Sequence, residues 1–274
     1  MLNILNALAD YARKRVILSK EKVSMDEIKS NALSLPTNDF SFERALKTPD
    51  ISYICECKRA SPSNGLIAPD FPYLQIAKEY EKAGADCISV LTEPKWFLGS
   101  NQYLSEIASA VSIPCLRKDF IVDEYMIYEA KLLGAKAVLL ICSILDATTM
   151  NTYIDICDNL GLSALVEAHD EEEIKTAIKA GARIIGVNNR NLKDFSINTE
   201  NSCRLRELVP PEVLFVSESG VRTVRDVDLL RKAGADAVLI GETLMRAEDK
   251  IAKLLELKGD VYDQSQVLRT NKRM

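Results

Sequence analysis

Four segments of the chain repeat one pattern: KAGADCISVL (82–91), LLGAKAVLLI (132–141), KAGARIIGVN (179–188) and KAGADAVLIG (232–241). Each reads as the end of a helix closed by a glycine that takes positive φ at no steric cost, then a strand too apolar to be half exposed. The glycines, 84, 134, 181 and 234, recur about every 50 residues, too far apart for one strand-helix-strand step and right for two. A further strand is therefore expected midway in each interval. ISYICECK (51–58), SIPCLRKDF (112–120), SALVEAHD (163–170) and VLFVSESG (213–220) occupy those places, each followed by apolar residues at helical spacing. Eight strands alternating evenly with helices predict an α/β fold, a single-domain (β/α)8 barrel, rather than a doubly wound sheet. Residues 1–48 read as an N-terminal helical extension packed on the barrel, 49–258 as the catalytic barrel and 259–274 as a polar tail.

Charge and composition exclude several classes. The net charge is −5 with no basic block, which argues against nucleic acid as a partner, and no apolar run approaches the roughly 20 residues that cross a bilayer. The first residues lack a signal-peptide pattern, so a cytoplasmic location is expected. The 7 cysteines are irregularly spaced and odd in number, which suits buried small hydrophobes in a reducing compartment. One histidine, His169, excludes any chemistry that needs a histidine pair. It is expected to face away from Glu167 and is read as structural. A monomer and a homodimer are both compatible with the sequence.

Strand parity locates the chemistry. Side chains alternate in a strand, so Cys55 and Cys57 share one side of the first strand while Ile54, Glu56 and Lys58 share the other. If the thiols face the helices, the charged pair faces the barrel axis at the strand's C-terminal end, where active sites of this fold lie. The same ends carry Lys118 on the third strand, Glu167 on the fifth, Asn188 on the sixth, and Glu218 with Ser219 on the seventh. Any one of them could be a solvated strand end, but buried charges persist in such numbers where they pair or act. Gly220 and Gly241 follow the seventh and eighth strands, where backbone N–H groups can close on a phosphate, and Ser61 could add a hydroxyl.

ECKRASPSNGLI, SVLTEPKWFLGS, IPCLRKDFIVDEYMIYEA, ALVEAHD, GVNNRNLKDF, VSESGV and VLIGETLMR occur in this order between about Ile51 and Arg246. Together they resemble indole-3-glycerol-phosphate synthase of the tryptophan pathway. The resemblance implies a lyase that closes the indole ring of 1-(2-carboxyphenylamino)-1-deoxyribulose 5-phosphate, releasing carbon dioxide and water with no cofactor and no metal. Lys118 then matches the general acid, and clustered cations and burial would have to lower its pKa for it to give up a proton readily near neutrality. Glu56, Lys58 and Glu167 match assisting residues, with Glu56 and Glu167 orienting Lys118. Lys58 either holds the departing carboxylate or acts as an acid in the dehydration.

Asn188 and Ser219 match groups that position the substrate, and Glu218 supports the cluster. Phe97, Phe120 and Leu192 are expected to wall the aromatic half and Arg190 to meet an anion. Ser61, Gly220, Gly241 and Glu242 are expected at the phosphate, where the Glu242 carboxylate is unfavourable unless its side chain turns away. Ala60 and Trp96 depart from residues common in relatives without removing an assigned group. A phosphoribosylanthranilate isomerase would instead call for an inward thiol on the first strand and a carboxylate ending the sixth. A non-catalytic barrel binding a phosphorylated metabolite would keep the glycines and lose Lys118, Glu56 and Glu167.

Overall fold

The structure, a computed structural model, describes residues 4–37, 40–191 and 195–259. Eight parallel strands close on themselves: β1 (Ser52–Cys57), β2 (Cys87–Leu91), β3 (Cys115–Lys118), β4 (Ala137–Ile141), β5 (Ser163–Ala168), β6 (Ile184–Asn188), β7 (Leu214–Glu218) and β8 (Ala237–Ile240). Each pairs with its sequence neighbours, and β1 joins β8 through the register Ser52 to Ala237 and Cys55 to Ile240. The eight strands expected from the glycine rhythm are those observed. Their residues are buried on both faces almost throughout, which is why they read as continuous apolar runs.

The helices form the outer layer: α4 (Tyr73–Lys82), α5 (Asn101–Ala110), α6 (Tyr125–Leu132), α7 (Ala147–Leu160), α8 (Glu171–Lys179), α9 (Glu200–Arg206), α10 (Val224–Lys232), α11 (Glu242–Arg246) and α12 (Lys250–Lys258). Their starts are set by side-chain caps. Asp170 accepts the Glu173 N–H at the head of α8, whose first turn is wholly acidic, and Thr223 and Asp226 form a reciprocal capping box on α10.

Their ends are set by the repeated glycines, with φ of 81° at Gly84, 86° at Gly134 and Gly181, and 84° at Gly234. Two residues on, Asp86 and Asp236 each accept the N–H of an adjacent strand residue, from Tyr53 and Phe215, both at 2.7 Å. These turns lie at the N-terminal face of the barrel, away from the strand ends that carry the charged residues.

Three helices precede β1. α1 (Ile4–Lys20) runs along the barrel to its mouth, where Ile4 and Leu8 line the central pocket. α2 (Met25–Ser34) packs on α6, and Lys131 of α6 donates to Pro36 O at 2.7 Å and Leu160 O at 2.9 Å. α3 (Ser41–Leu46) closes the opposite, N-terminal face: Phe42 and Leu46 join Leu214, Ala237 and Ile184 in the barrel interior. Glu43 there is bound by Arg183, the residue before β6, at 2.8 Å. Phe42 is fully buried, so its truncation to alanine costs about 3–5 kcal/mol.

Parity on β1 is as expected. Cys55 and Cys57 belong to the apolar layer between sheet and helices, whereas Ile54 belongs to the interior. Of the expected tail, only Gly259 is described; it caps α12 with φ of 82°.

Candidate active site

A barrel interior is filled by layers of side chains drawn from alternate strands, mostly branched and apolar. Here the layer nearest the mouth is drawn from β1, β3, β5 and β7 and consists of Glu56, Lys118, Glu167 and Glu218, with Leu165 and Val216 below. Glu56, Glu167 and Glu218 are buried, and all four residues line one pocket.

Lys118 Nζ is 3.3 Å from Glu167 Oε2 and in still closer contact with Glu218 Oε2. Lys58 lies just past β1 and holds Glu56 Oε1 at 2.6 Å. Two lysines are thus separately paired: Lys118 meets Glu167, as expected, while Glu56 is held by Lys58 instead. Glu218 takes the place given to Glu56.

The electrostatics correct a second expectation. Burial alone would lower the Lys118 pKa, but Glu218, Glu167 and Glu56 together outweigh it and hold the ammonium above its ordinary range. No clustered cations loosen its proton; a cage of carboxylates secures it. Glu218 is pushed up to about 7, chiefly by burial, with the Glu167 charge adding to the shift against the pull of Lys118. Glu167, also desolvated, is drawn below its ordinary value by Lys118 and His169. The three groups therefore favour a charged Lys118, an ionised Glu167 and a Glu218 that gains a proton readily. Among the described residues Glu218 Oε1 has no hydrogen-bond partner, and it lies 2.2 Å from where a Cβ on Gly186 would be.

Around this cluster the expected residues are brought together. Asn188 and Ser219 line the pocket, and Asn188 fixes its own turn by accepting the Arg190 N–H at 3.0 Å. Ser219 takes φ of 66°, rare for a residue with a Cβ, and Gly220 follows at 95°, so the chain turns sharply off β7. Gly220 also has no room for a side chain: a Cβ would lie 2.6 Å from Thr199 Cγ2 and 2.9 Å from Ile197 Cγ2. Gly241 directly caps α11, but Gly220 does not open a helix, because α10 begins only at Val224. The Cβ position of Gly241 is 2.2 Å from Glu56 Oε1 and 2.7 Å from Lys58 Nζ, so this glycine makes room for the ion pair.

Ser61 stands in a short antiparallel ribbon, Ala60–Ser61 against Gly65–Leu66, folded over the mouth. Asn64 of that ribbon reaches Glu242 Oε2 at 2.9 Å, while Arg246 and Arg190 approach the same carboxylate at 3.0 and 3.4 Å. Phe97 and Phe120 line the pocket as neighbours, their rings tilted by 40° with centroids 6.0 Å apart. Leu192 lies outside the described residues.

His169 is not on the far side of Glu167. Residues two apart in an extended chain share a side, and its Nε2 is 3.5 Å from Glu167 Oε1 while Nδ1 is 3.0 Å from Glu173 Oε2.

Several supports were not singled out from the sequence. The buried Glu93 accepts the N–H groups of Lys95, Trp96 and Phe97 at 2.8–2.9 Å and so shapes the loop that presents Phe97. Asp119, next to Lys118, is buried and held by both terminal nitrogens of Arg15 from α1, at 2.6 and 3.0 Å, and by Thr92 at 2.6 Å. The only advance signal was a carboxylate in an apolar context, as in LTEPKWF and LRKDF.

Comparison with known proteins identifies the family. The family model for indole-3-glycerol phosphate synthase matches residues 5–257. An indole-3-glycerol phosphate synthase from Ruminiclostridium cellulolyticum is 58% identical over 257 residues, covering 93% of this chain and 99% of its own length. One from Endomicrobium trichonymphae is 52% identical over 256 residues, with the same coverage. Among solved structures, 3-hexulose-6-phosphate synthase from Salmonella typhimurium superposes with a TM-score of 0.62 at 17% identity, over 80% of this chain and 99% of its own. Thiamine phosphate pyrophosphorylase from Pyrococcus furiosus gives 0.57 at 18% identity, over 76% and 94%. These two share the barrel alone. By the match across nearly its whole length and the identity to curated relatives, the chain belongs to the indole-3-glycerol phosphate synthase family.

Proposed function

We propose that the cluster closes the indole ring of 1-(2-carboxyphenylamino)-1-deoxyribulose 5-phosphate, a carboxy-lyase reaction that needs neither metal nor organic cofactor. The observation that carries this reading is the position of Lys118, kept charged by Glu167 and Glu218 at the floor of a pocket with an aromatic wall on one side and glycine turns on the other. The aromatic half fits against the wall that Phe97 and Phe120 form together. The phosphate fits at the opposite rim, among the backbone N–H groups of Gly220, Gly241 and Glu242 and the Ser61 hydroxyl, where Arg190 can exchange its Glu242 partner for the anion.

In this pose the ring carbon that bears the carboxylate attacks the keto carbon, and the keto oxygen takes a proton from Lys118. Protonation of Glu218 weakens the field that secures the Lys118 proton and so assists the transfer. The bond to the carboxylate then breaks, carbon dioxide leaves, and the electron pair restores the aromatic ring. The hydroxyl formed at the former keto carbon departs as water, which needs one proton donated to it and one removed from the substrate. Lys58, held by Glu56 beside Gly241, lies toward the phosphate end and suits the donor role better than a carboxylate clamp on the aromatic ring. Glu167, ionised and paired with Lys118, suits the base. Asn188 and Ser219 hold the intermediate. The enzyme is assigned to the cytoplasm, and among the described residues no helix is long and apolar enough to cross a membrane.

The test is an indole-fluorescence assay with this substrate. Wild-type protein should turn over in the presence of a chelator, and Lys118→Ala should lose about 100- to 10,000-fold in kcat while still binding substrate. An inert wild type, or a fully active Lys118→Ala, refutes the reading.

A further inference from the structure

We infer that His169 is a positioning residue that shares one proton with Glu167 and links that buried carboxylate to solvent by a path separate from the substrate mouth. The inference rests on the ring-closure reading above, which gives Glu167 its task.

The hydrogen-bond inventory of the ring carries the argument. Nδ1 lies 3.0 Å from Glu173 Oε2, and the same carboxylate accepts the His169 backbone N–H at 2.8 Å and a hydrogen bond from the Ser143 hydroxyl. An ionised carboxylate only accepts, so Nδ1 carries hydrogen. That fixes the tautomer and turns Nε2 toward Glu167 Oε1, 3.5 Å away. Nε2 is buried and, among the described residues, makes no hydrogen bond, so Glu167 is the acid it faces. A neutral ring with hydrogen on Nδ1 would point a lone pair at a carboxylate, which is repulsive. One proton must lie between the two groups, as imidazolium facing carboxylate or as neutral imidazole facing carboxylic acid. When Glu167 takes a proton from the substrate, the pair can pass one from Nδ1–H to Glu173, and the total number of protons is conserved at each transfer.

The surroundings allow such a path. Glu167 on β5 is buried within the pocket, whereas the His169 ring stands at the strand end and Glu173 on α8 is part exposed. Ser143, after β4, also lines a second, open groove with Asp10 and Arg13 of α1 and Asp146. A substrate that fills the mouth leaves this side accessible.

The ionisable groups with the largest fields at the ring are the carboxylates Glu173 on α8, Glu167 on β5 and Glu218 on β7, and the Lys118 ammonium on β3 stands behind the last two. From α9 the neighbour is the uncharged Asn201, which donates to the His169 carbonyl at 3.2 Å. Burial opposes a charged ring, but these carboxylates outweigh it and raise the His169 pKa.

The test is the pH profile of kcat for His169→Gln and Glu173→Gln beside wild type, with thermal melts to show that each is folded. Loss of the imidazolium leaves Glu167 easier to protonate, so His169→Gln should move the acid limb of kcat to higher pH, lower the plateau about tenfold and leave KM nearly unchanged. Glu173→Gln should move the limb in the same direction by less, because the ring stays but holds its proton less well. An unmoved acid limb in both folded variants overturns the inference, whether or not kcat falls, since a structural role lowers activity at every pH alike. An inactive wild type would instead refute the ring-closure reading and not this assignment of the proton.

Discussion

A close approach in the barrel interior, between Gly186 on β6 and Glu218 on β7, sets up the sharpest prediction. A methyl group at position 186 would lie 2.2 Å from Glu218 Oε1 and 3.2 Å from its Cδ, with Leu165 Cδ1 at 3.1 Å on the other side. Ordinary contact begins near 3.4 Å, so the carboxylate must retreat by about 1 Å, and Leu165 blocks one escape. Glu218 cannot move alone, because Oε2 is bound to Lys118 Nζ.

Lys118, the proposed general acid, would therefore be misplaced by a similar distance, which is worth about 100-fold in rate. Overpacking should at the same time cost about 1–3 kcal/mol of stability, a fall of roughly 2–10 °C in Tm for a chain of this size. The assay is kcat/KM by indole fluorescence alongside a thermal melt of Gly186→Ala. Glu218→Asp in the same chain shortens the obstructing side chain and should restore part of the lost stability relative to Gly186→Ala alone. A folded Gly186→Ala enzyme with activity within threefold of wild type would refute the idea that the Lys118–Glu218 contact places the acid.

Gly220→Asp should raise KM for phosphorylated substrate strongly, through strain at φ of 95°, contact with Thr199 and charge repulsion, and unchanged affinity would move the phosphate elsewhere. Glu218→Gln tests the raised pKa of about 7 through stability. A folded-state pKa above the ordinary 4.5 contributes stability below that pH and loses it as pH rises through 7, so the variant should gain on wild type across this window and then level off. Parallel denaturation curves at pH 4, 6 and 8 with a constant gap would contradict the shift. Glu93→Gln removes an ionised acceptor from three backbone N–H groups and should raise KM more than it lowers kcat, since the loop carrying Phe97 loosens; an unchanged KM would separate that loop from binding.

Much of this was legible in the chain because it obeys local rules. Glycines that end helices recur with the barrel's period, and strand parity turns Glu56 inward while Cys55 and Cys57 pack outward, so the fold and the layer of charged ends follow from counting. What could not be read is interaction across strands. The field at Lys118 depends on Glu218 and Glu167, 100 and 49 residues away. Sequence therefore suggested a loosened proton where three carboxylates secure one. The same limit hid Arg15, 104 residues from the Asp119 it clamps, and Gly186, whose missing side chain matters only because Glu218 sits against it. His169 was misjudged for a different reason: the rule of alternation was available and put it beside Glu167.

The helix-ending turns at Gly84, Gly134, Gly181 and Gly234 all fall at the pole of the molecule opposite the reacting groups. Each is a nearly identical joint, and two of them carry the same aspartate latch onto a neighbouring strand. That pole answers for the endurance of the molecule: a change at one of these joints strains a latch or the α3 plug and is felt first as lost stability, while the chemistry is set at the other end.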